Sequence, residues 1–232
     1  MCSQSWFQQI RELCAQYQLP HPTLLLREQR PASSLNKLFK SKVIDYWELK
    51  LREQATALTS VPYFHPQFMS LARPHPIWTS CESNPWEIHK AVTACRMLSG
   101  RYLTDKLQRH WTWNRAGHCL LPSCIPMSEG SLEHILLHCP ALDSVRRRMY
   151  SLYRKVSMES AELSTVINTI FLRGDQQLIM QLILDCTTLP EVIKITQASM
   201  THTRDRLLYL GRSWCYSIHR ERMKKLGLFE FR

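Results

Sequence analysis

The sequence predicts a mainly α-helical protein, arranged as a helical bundle-like array with a small cysteine- and histidine-rich module embedded in it. Three observations support this fold class. The 232 residues include only six glycines, strict alternation of apolar and polar residues is rare, and several segments place apolar residues at helical spacing. A hydrophobic fraction of 44% supplies enough apolar side chain for a packed core.

The first segment, residues 1–59, is predicted to be helical. Apolar residues at helical spacing indicate a helix over 3–18, with Ser3 or Ser5 as its cap. A longer helix is expected over about 34–58, because apolar residues there make one broad face while most of the basic residues lie elsewhere.

Residues 60–83 are predicted to form a linker loop rather than a helix. Prolines and aromatic residues are interleaved along it: Pro62, Tyr63, Phe64, Pro66, Phe68, Pro74, Pro76 and Trp78. Prolines at this density exclude a helix, so the segment should be an ordered loop pinned by its aromatic side chains. It is the clearest candidate for a domain boundary.

The third segment, residues 84–156, is expected to carry helices on both sides of the module. Asn84 can cap the first of them, and Pro85 suits its first turn. A short helix over 103–113 should lead into the module, and a basic helix over 142–155 should follow it.

The fourth segment, residues 157–232, is predicted to be basic and helical. Two short amphipathic helices are expected over 160–172 and 175–186, joined near Gly174. One last helix is expected from Pro190 to the vicinity of Gly227, because apolar residues trace a single face along it.

The module, residues 117–140, contains the pattern Cys-x4-Cys-x9-His-x4-Cys. Its members are Cys119, Cys124, His134 and Cys139. Thiolates and an imidazole are the ligands that zinc takes in a tetrahedral site, and four protein ligands with no open position describe a structural rather than a catalytic site. The sequence therefore predicts Zn2+ as a bound cofactor. The alternative is a chance cluster of buried cysteines with a core histidine.

Two further histidines compete as ligands. His118 and His138 each adjoin a cysteine ligand, where the backbone tends to point neighbouring side chains apart, so both are second choices. Cys139 follows His134 by five residues, about 140° around an ideal α-helix. Both can reach one metal only if the helix unwinds near Cys139, which Pro140 favours.

The charge of the chain indicates a polyanionic partner. It has 30 basic and 19 acidic residues, a formal charge of +11 and a pI near 9.4, which favours nucleic acid because phosphate contacts release counterions. The candidate contacts are Arg146, Arg147, Arg148, Arg212, Arg220, Arg222, Lys224 and Lys225. Aromatic residues among the basic ones over 204–225 suit single strands or hybrid duplexes. The alternative is a solvated helix face whose aromatic side chains lie in the core.

Several functional classes lack support. The sequence has no Gly-rich phosphate loop and no Gly-x-Ser-x-Gly elbow. Asp185, Glu191 and Lys194 could form an acidic nuclease-like triad, but a helix cap and surface charge explain them better. No apolar run approaches the roughly 18–20 residues of a membrane helix, and no secretory leader is recognisable over residues 1–15. The expected location is intracellular, nuclear or cytoplasmic, without a membrane partner or small-molecule substrate.

Short motifs distributed along the chain carry a family likeness. They include Leu19-Pro-His-Pro22, Asp45-Tyr-Trp47, Pro74-His-Pro76, Met97-Leu-Ser-Gly-Arg-Tyr102, His110-Trp111, Asn114, Gly117-His-Cys119, Leu132-Glu-His-Ile-Leu-Leu-His-Cys-Pro140, Arg146 and Trp214-Cys-Tyr-Ser-Ile-His-Arg-Glu-Arg222. In these motifs the chain resembles the region after the polymerase core in non-LTR retrotransposon reverse transcriptases.

The resemblance implies a CCHC zinc knuckle within residues 117–140, in a region that helps to hold RNA template or target DNA. In that family two residues often separate the first two cysteines, whereas four separate them here. The family's Tyr-x-Asp-Asp polymerase motif is absent, so this chain is not expected to be an enzyme by itself. Its expected partners are RNA or DNA and the polymerase core of the same element. The alternative is a protein-interaction or structural module that docks on that core, with zinc purely structural.

Overall fold

A computed structural model of the protein describes residues 5–28, 30–57, 63–65, 71, 73–81, 83–108, 117–124, 128–197 and 201–228. These residues are mainly α-helical and contain no β-strand, which confirms the predicted fold class. The helices are α1 (Trp6–Gln16), α2 (Pro22–Arg27), α3 (Ala32–Thr56), α4 (Pro76–Thr79), α5 (Pro85–Leu98), α6 (Asp105–Gln108), α7 (Asp143–Ser157), α8 (Ala161–Arg173), α9 (Gln176–Asp185), α10 (Pro190–Gln197) and α11 (Thr201–Lys225).

The chain divides into two compact units. Residues 1–58 and 66–74 make the first unit, and residues 59–65 and 75–232 make the second. The segments that the sequence separates at residue 156 therefore lie together in the second unit.

The first unit contains α1, α2 and α3. The Ser5 hydroxyl caps α1 by accepting a hydrogen bond from Gln8 N at 3.3 Å, as expected for one of the two candidate serines, while position 3 lies outside the described residues. Tyr17 packs edge-on against Tyr46 of α3, with 5.0 Å between ring centroids. Of the described residues in this unit, only Cys14 and Pro22 are buried, so its apolar side chains are largely exposed.

The Pro/aromatic segment contains a helical turn, α4, that the sequence did not predict. The expectation that prolines exclude a helix was wrong here, because Pro76 occupies the first helical position, where a missing N–H costs nothing. His75 caps the turn: its Nδ1 accepts a hydrogen bond from Ile77 N at 3.2 Å. Pro62, Pro66 and Phe68 lie outside the described residues.

The other predicted helices are observed close to their expected limits. Asn84 caps α5 by accepting from Trp86 N at 3.0 Å, and α8 ends at Gly174, whose φ of +64° ends the helix as expected. The predicted helix over 103–113 is described as α6, and its residues from 109 onward lie outside the described part. The predicted last helix is described as α10 and α11, and the residues between them, 198–200, likewise lie outside it.

The core of the second unit is built around α11, which packs against α5, α7, α9 and α10. Trp214 is fully buried and meets Tyr153 of α7 edge-on, with ring centroids 5.7 Å apart. Gly211 allows α9 to approach, because a Cβ at this position would lie 2.3 Å from the Ile183 carbonyl oxygen. Helix α11 thus runs through the middle of the unit, with most of its apolar faces covered.

None of the helices in the described ranges combines the length and apolar composition that crossing a bilayer requires.

Candidate metal centre

The first half of the centre is a short arch that begins at Gly117 and returns at Gly130. Gly130 N donates a hydrogen bond to Gly117 O at 2.8 Å, and Cys119 N donates one to Ser128 O at 2.9 Å. These bonds pair the two ends of the arch in an antiparallel manner. Backbone pairing therefore fixes the position of Cys119 in the arch.

A tight turn places the second cysteine next to the first. Cys124 N donates to Leu121 O at 3.3 Å, Pro122 follows the first residue of the turn, and Ser123 has a φ of +68°. Proline at the second position and a positive φ at the third are the marks of a type II turn. Pro122 and Ser123 thus form a tight turn between the two cysteines, and this turn brings Cys124 close to Cys119 although four residues separate them.

The second half is a helical segment that begins at Ser131. His134 N donates to the Ser131 hydroxyl at 3.1 Å, so this serine caps the segment. From His134 to His138 the helix widens into a π-helical turn, closed by a 2.7 Å bond from Cys139 N to His134 O. An i→i+5 bond stacks residues five apart on one face. The helix does end at Cys139 and Pro140 as expected, but widening of the turn, rather than unwinding, aligns His134 with Cys139.

The four predicted side chains come together. Their ligand atoms all lie within 4.8 Å of one another. The Sγ atoms of Cys119 and Cys139 are 3.8 Å apart, and Cys124 Sγ lies 3.2 Å from His134 Nε2. Cys139 is buried and the other three are half-buried, so this Cys3His group could hold a metal ion.

The competing histidines lie beside this group rather than in it. His138 is exposed, and its Nε2 is 4.0 Å from a Glu133 carboxylate oxygen. His118 has a buried Nδ1 that meets no hydrogen-bond partner in the described part of the chain. Neither belongs to the group of four ligand atoms, in agreement with their rank as second choices.

Burial sets the protonation of the four side chains. It raises the pKa of the Cys119 thiol to about 12 and also raises the pKa of Cys139. Burial lowers the pKa of His134, and the nearby His138 and Arg146 lower it further. The His134 imidazole is thus kept neutral, as a metal ligand must be, whereas the thiols need a cation to become thiolates. Metal binding at this site should release protons.

Asp105 supports the arch, and sequence reasoning missed it. This buried carboxylate accepts a hydrogen bond from Leu120 N at 3.4 Å on one oxygen and from Arg222 Nη2 at 3.0 Å on the other. Lys106 N donates to Gly130 O at 3.2 Å, and a Cβ on Gly130 would lie 2.5 Å from the Asp105 Cβ. The start of α6 therefore packs directly on the arch. The residues next to Asp105 in the sequence do not distinguish it from an acidic residue on the surface.

Three of the predicted phosphate contacts are buried, and that part of the prediction was wrong. Arg146, Arg212 and Arg222 are 5%, 2% and 1% exposed. Because a buried guanidinium must be paired, Arg212 donates to the carbonyls of Ile77 and Ser80, while Arg222 donates to the Leu103 carbonyl and to Asp105. Both connect α11 to the helices that cover it. Periodicity alone does not show which face of a basic helix is covered.

The remaining predicted contacts are on the surface: Arg147, Arg148, Arg220, Lys224 and Lys225. Arg147 pairs with Asp143 at 2.7 Å, and Lys225 pairs with Glu221 at 3.6 Å. Arg148 lies beside Arg220 and Lys224, because all three line one cavity between α7 and α11.

The acidic triad considered from the sequence is not assembled. Asp185 is buried, lies 3.3 Å from His75 Nε2 and accepts a 2.6 Å hydrogen bond from the Thr187 hydroxyl, whereas Glu191 faces Arg173 at 3.9 Å. Asp185 thus joins α9 to α4 inside the second unit, an internal role that its position in a helix cap did not reveal.

No protein-family model matches the chain, and no curated protein or solved structure matches it significantly.

Proposed function

We propose that this chain is a zinc-stabilised, nucleic-acid-binding region of a non-LTR retrotransposon reverse transcriptase. By itself it is non-catalytic, and it helps to hold RNA template or target DNA. The observation that carries this proposal is the convergence of Cys119, Cys124, His134 and Cys139 on one point, with all ligand atoms within 4.8 Å.

The geometry of the group supports zinc as the metal. With Zn–S bonds of about 2.3 Å and a Zn–N bond of about 2.0 Å, a tetrahedral site has S–S edges of about 3.8 Å and S–N edges of about 3.5 Å. Two of the six edges here are 3.8 Å between Cys119 and Cys139 and 3.2 Å between Cys124 and His134, and all six are within 4.8 Å. Four protein ligands leave no open position for a substrate, which favours a structural role.

Charge and location support nucleic acid as the partner. The chain carries a formal charge of +11, and the helix that follows the module, α7, presents Arg148 on its exposed side, whereas the neighbouring Arg147 is paired with Asp143 at 2.7 Å. The metal centre would fix the start of this helix, because Pro140 and the turn after it connect Cys139 directly to α7. A phosphate-binding surface positioned in this way loses less conformational entropy on binding than a flexible basic tail.

The proposal is tested by metal content and RNA binding measured on the same preparation. We expect one zinc per chain, loss of helical signal on chelation, and binding of RNA that weakens steeply with salt. A matched reference is an unrelated protein of equal net charge. Metal-free protein with an intact fold, together with affinity no greater than that of the reference, would contradict the proposal.

A second candidate function is favoured by the exposed apolar side chains of the first unit. Trp6, Leu26 and Trp47 are 73%, 77% and 43% exposed, far more than large apolar side chains in a closed core. In this case the chain docks on the polymerase core of the same element, and zinc is purely structural. Co-purification with that core, abolished by Trp6→Ser and Trp47→Ser but not by loss of surface arginines, would favour it over nucleic-acid binding.

A further inference from the structure

Helices α7 and α11 leave a continuous groove between them on the surface of the second unit. One cavity of about 440 Å³ lies between Leu152 and Lys155 of α7 and Tyr209 and Ser213 of α11. A second cavity, of about 300 Å³, lies between Arg148 and the later part of α11. Arg148 and Ser217 line both, so the cavities are continuous, and the two helices run antiparallel along the groove.

Small side chains keep this groove open. Ser151 of α7 and Ser213 and Ser217 of α11 line it where larger residues would fill the gap between the helices. From Tyr209 to Lys224, α11 extends for about 22 Å at 1.5 Å per residue. The groove is therefore long and narrow rather than a closed pocket for a small molecule.

The charge of the lining is almost entirely positive. Its basic residues are Lys90, Arg148, Lys155, Arg220 and Lys224, and Glu221 is the one carboxylate among the lining residues. Glu221 lies 3.6 Å from Lys225, which offsets its charge. In the ranges that the structure describes, Arg148, Lys155 and Lys224 form no ion pair, and all three are exposed. Lys90 is paired with Glu87 at 2.6 Å, so the cations that the groove offers to a polyanion are chiefly Arg148 and Lys155 of α7 and Lys224 of α11.

We propose that this α7/α11 groove binds the phosphate backbone of a single nucleic-acid strand, an inference that rests on the proposed function and specifies its contact surface. The basic residues of the groove, rather than the buried Arg146, Arg212 and Arg222, contact the phosphates.

The dimensions of the groove favour a single strand over a duplex. The axes of packed helices lie about 8–10 Å apart. A duplex is wider than its own major groove, which is already about 12 Å wide. A duplex is therefore too wide to enter a groove between two packed helices. Arg148 and Lys155 are two helical turns apart, about 10.5 Å along α7, and can contact different phosphates of one extended strand.

An aromatic ring is available in the groove for stacking on a base. Tyr216 lines the second cavity and is half-buried. The other tyrosine of the lining, Tyr209, already has Lys90 over its ring, 4.9 Å from the centroid. Stacking on a tyrosine is tolerant of sequence, as expected for a surface that holds a strand without reading it.

Helix α7 itself supplies a matched control. Arg147 and Arg154 lie two turns apart on the neighbouring face of the same helix, both are exposed, and neither lines the groove. The double variants R148Q/K155Q and R147Q/R154Q therefore remove the same charge from the same helix. Circular dichroism should show the wild-type helical content for both, since all four side chains are on the surface.

The test is fluorescence anisotropy with a 12-nucleotide single strand and a duplex of equal length, from about 50 to 200 mM salt. R148Q/K155Q should weaken single-strand binding about tenfold and reduce the salt slope by about 1.4, whereas R147Q/R154Q should change affinity less than about threefold. Equal losses of affinity in the two variants, or a duplex bound as tightly as the single strand, would overturn the proposal that the α7/α11 groove binds a single strand. Wild-type binding no stronger than that of the charge-matched reference protein would instead overturn the proposed function itself.

The stacking role has its own test. Tyr216→Phe should retain the single-strand affinity and Tyr216→Ala should lower it about fivefold, within the range for one base stacked on an aromatic side chain. Equal affinity of both variants and the wild type would overturn it.

Discussion

The guanidinium of Arg222 donates a 3.0 Å hydrogen bond to the Asp105 carboxylate, and the two side chains are 1% and 3% exposed. The second carboxylate oxygen accepts a hydrogen bond from Leu120 N, one residue after the first cysteine of the metal centre. A residue near the C-terminal end of α11 is thereby connected to the arch that carries Cys119. The longest helix of the second unit is part of the support of the metal centre.

Replacing Arg222 should therefore affect both stability and metal binding. Arg222→Met leaves the Asp105 charge buried without its partner, and we expect it to lower the free energy of unfolding by about 3–5 kcal/mol. The double variant R222M/D105L should recover part of this loss, because no unpaired charge remains. The measurement is denaturant unfolding, with a competition titration for metal affinity. Lys224→Met, on the exposed side of α11, is the control, and a loss for Arg222→Met no larger than for this control would contradict the role of the pair.

The close approach of α9 and α11 predicts that Gly211 tolerates no side chain. A methyl group there would lie 2.3 Å from the Ile183 carbonyl oxygen, so the helices must separate to accept it. Gly211→Ala should destabilise the protein by about 1–3 kcal/mol, although alanine is the better helix former. Thermal unfolding measures the effect, with Ser217→Ala on the same helix as the control. An unchanged or higher melting temperature for Gly211→Ala would show that the two helices are not in contact at this point.

The turn between the first two cysteines predicts that two substitutions of Ser123 have different effects on stability and metal binding. Ser123 has a φ of +68°, which glycine adopts freely and a β-branched residue does not. Ser123→Val should cost about 1–2 kcal/mol and weaken metal binding, whereas Ser123→Gly should leave both close to wild type. Chelator competition and thermal unfolding of the two variants provide the measurements. Similar metal affinity for the valine and glycine variants would contradict a positive φ at Ser123 in this turn.

The helical fold was largely predictable, because helices are local structures with local signals. The cap at Asn84 and the stop at Gly174 are found where the sequence places them, since both depend on residue types within one turn of the helix end. The turn at Pro76 was missed because the rule that proline breaks helices does not hold at the first helical position.

The members of the Cys3His group were predictable from spacing, but the residues that support them were not. The four residue types and Ser131 are visible in the sequence, whereas no local pattern predicts the widened turn between His134 and Cys139. Arg212 and Arg222 carry the same chemistry as surface arginines, and only the tertiary arrangement shows that they are internal. Asp105 acts through partners distant in sequence, so no local pattern could identify it.

Histidine burial in the second unit predicts a stability that depends on pH. Burial lowers the pKa of His219, and the positive charges of Arg222 and Arg96 lower it further. The unfolded chain therefore takes up this proton at higher pH than the folded chain does. The contribution of His219 is fully present above the ordinary histidine value of about 6.5 and is lost as the pH falls below it.

His219→Gln removes this titration, so its unfolding free energy should decrease less than that of the wild type between about pH 7.5 and pH 5. Denaturant unfolding at a series of pH values measures the profiles. Parallel profiles for His219→Gln and the wild type would contradict a lowered pKa at this residue.

The most direct test of the metal centre is the mass of the natively purified chain, determined by native mass spectrometry with elemental analysis. We expect one zinc ion per chain, absent from the Cys139→Ala variant, and a melting temperature that falls when a chelator removes the metal and recovers when zinc is returned. A chain that carries no stoichiometric metal, and whose melting temperature is the same with and without chelator, would show that Cys119, Cys124, His134 and Cys139 meet for another reason.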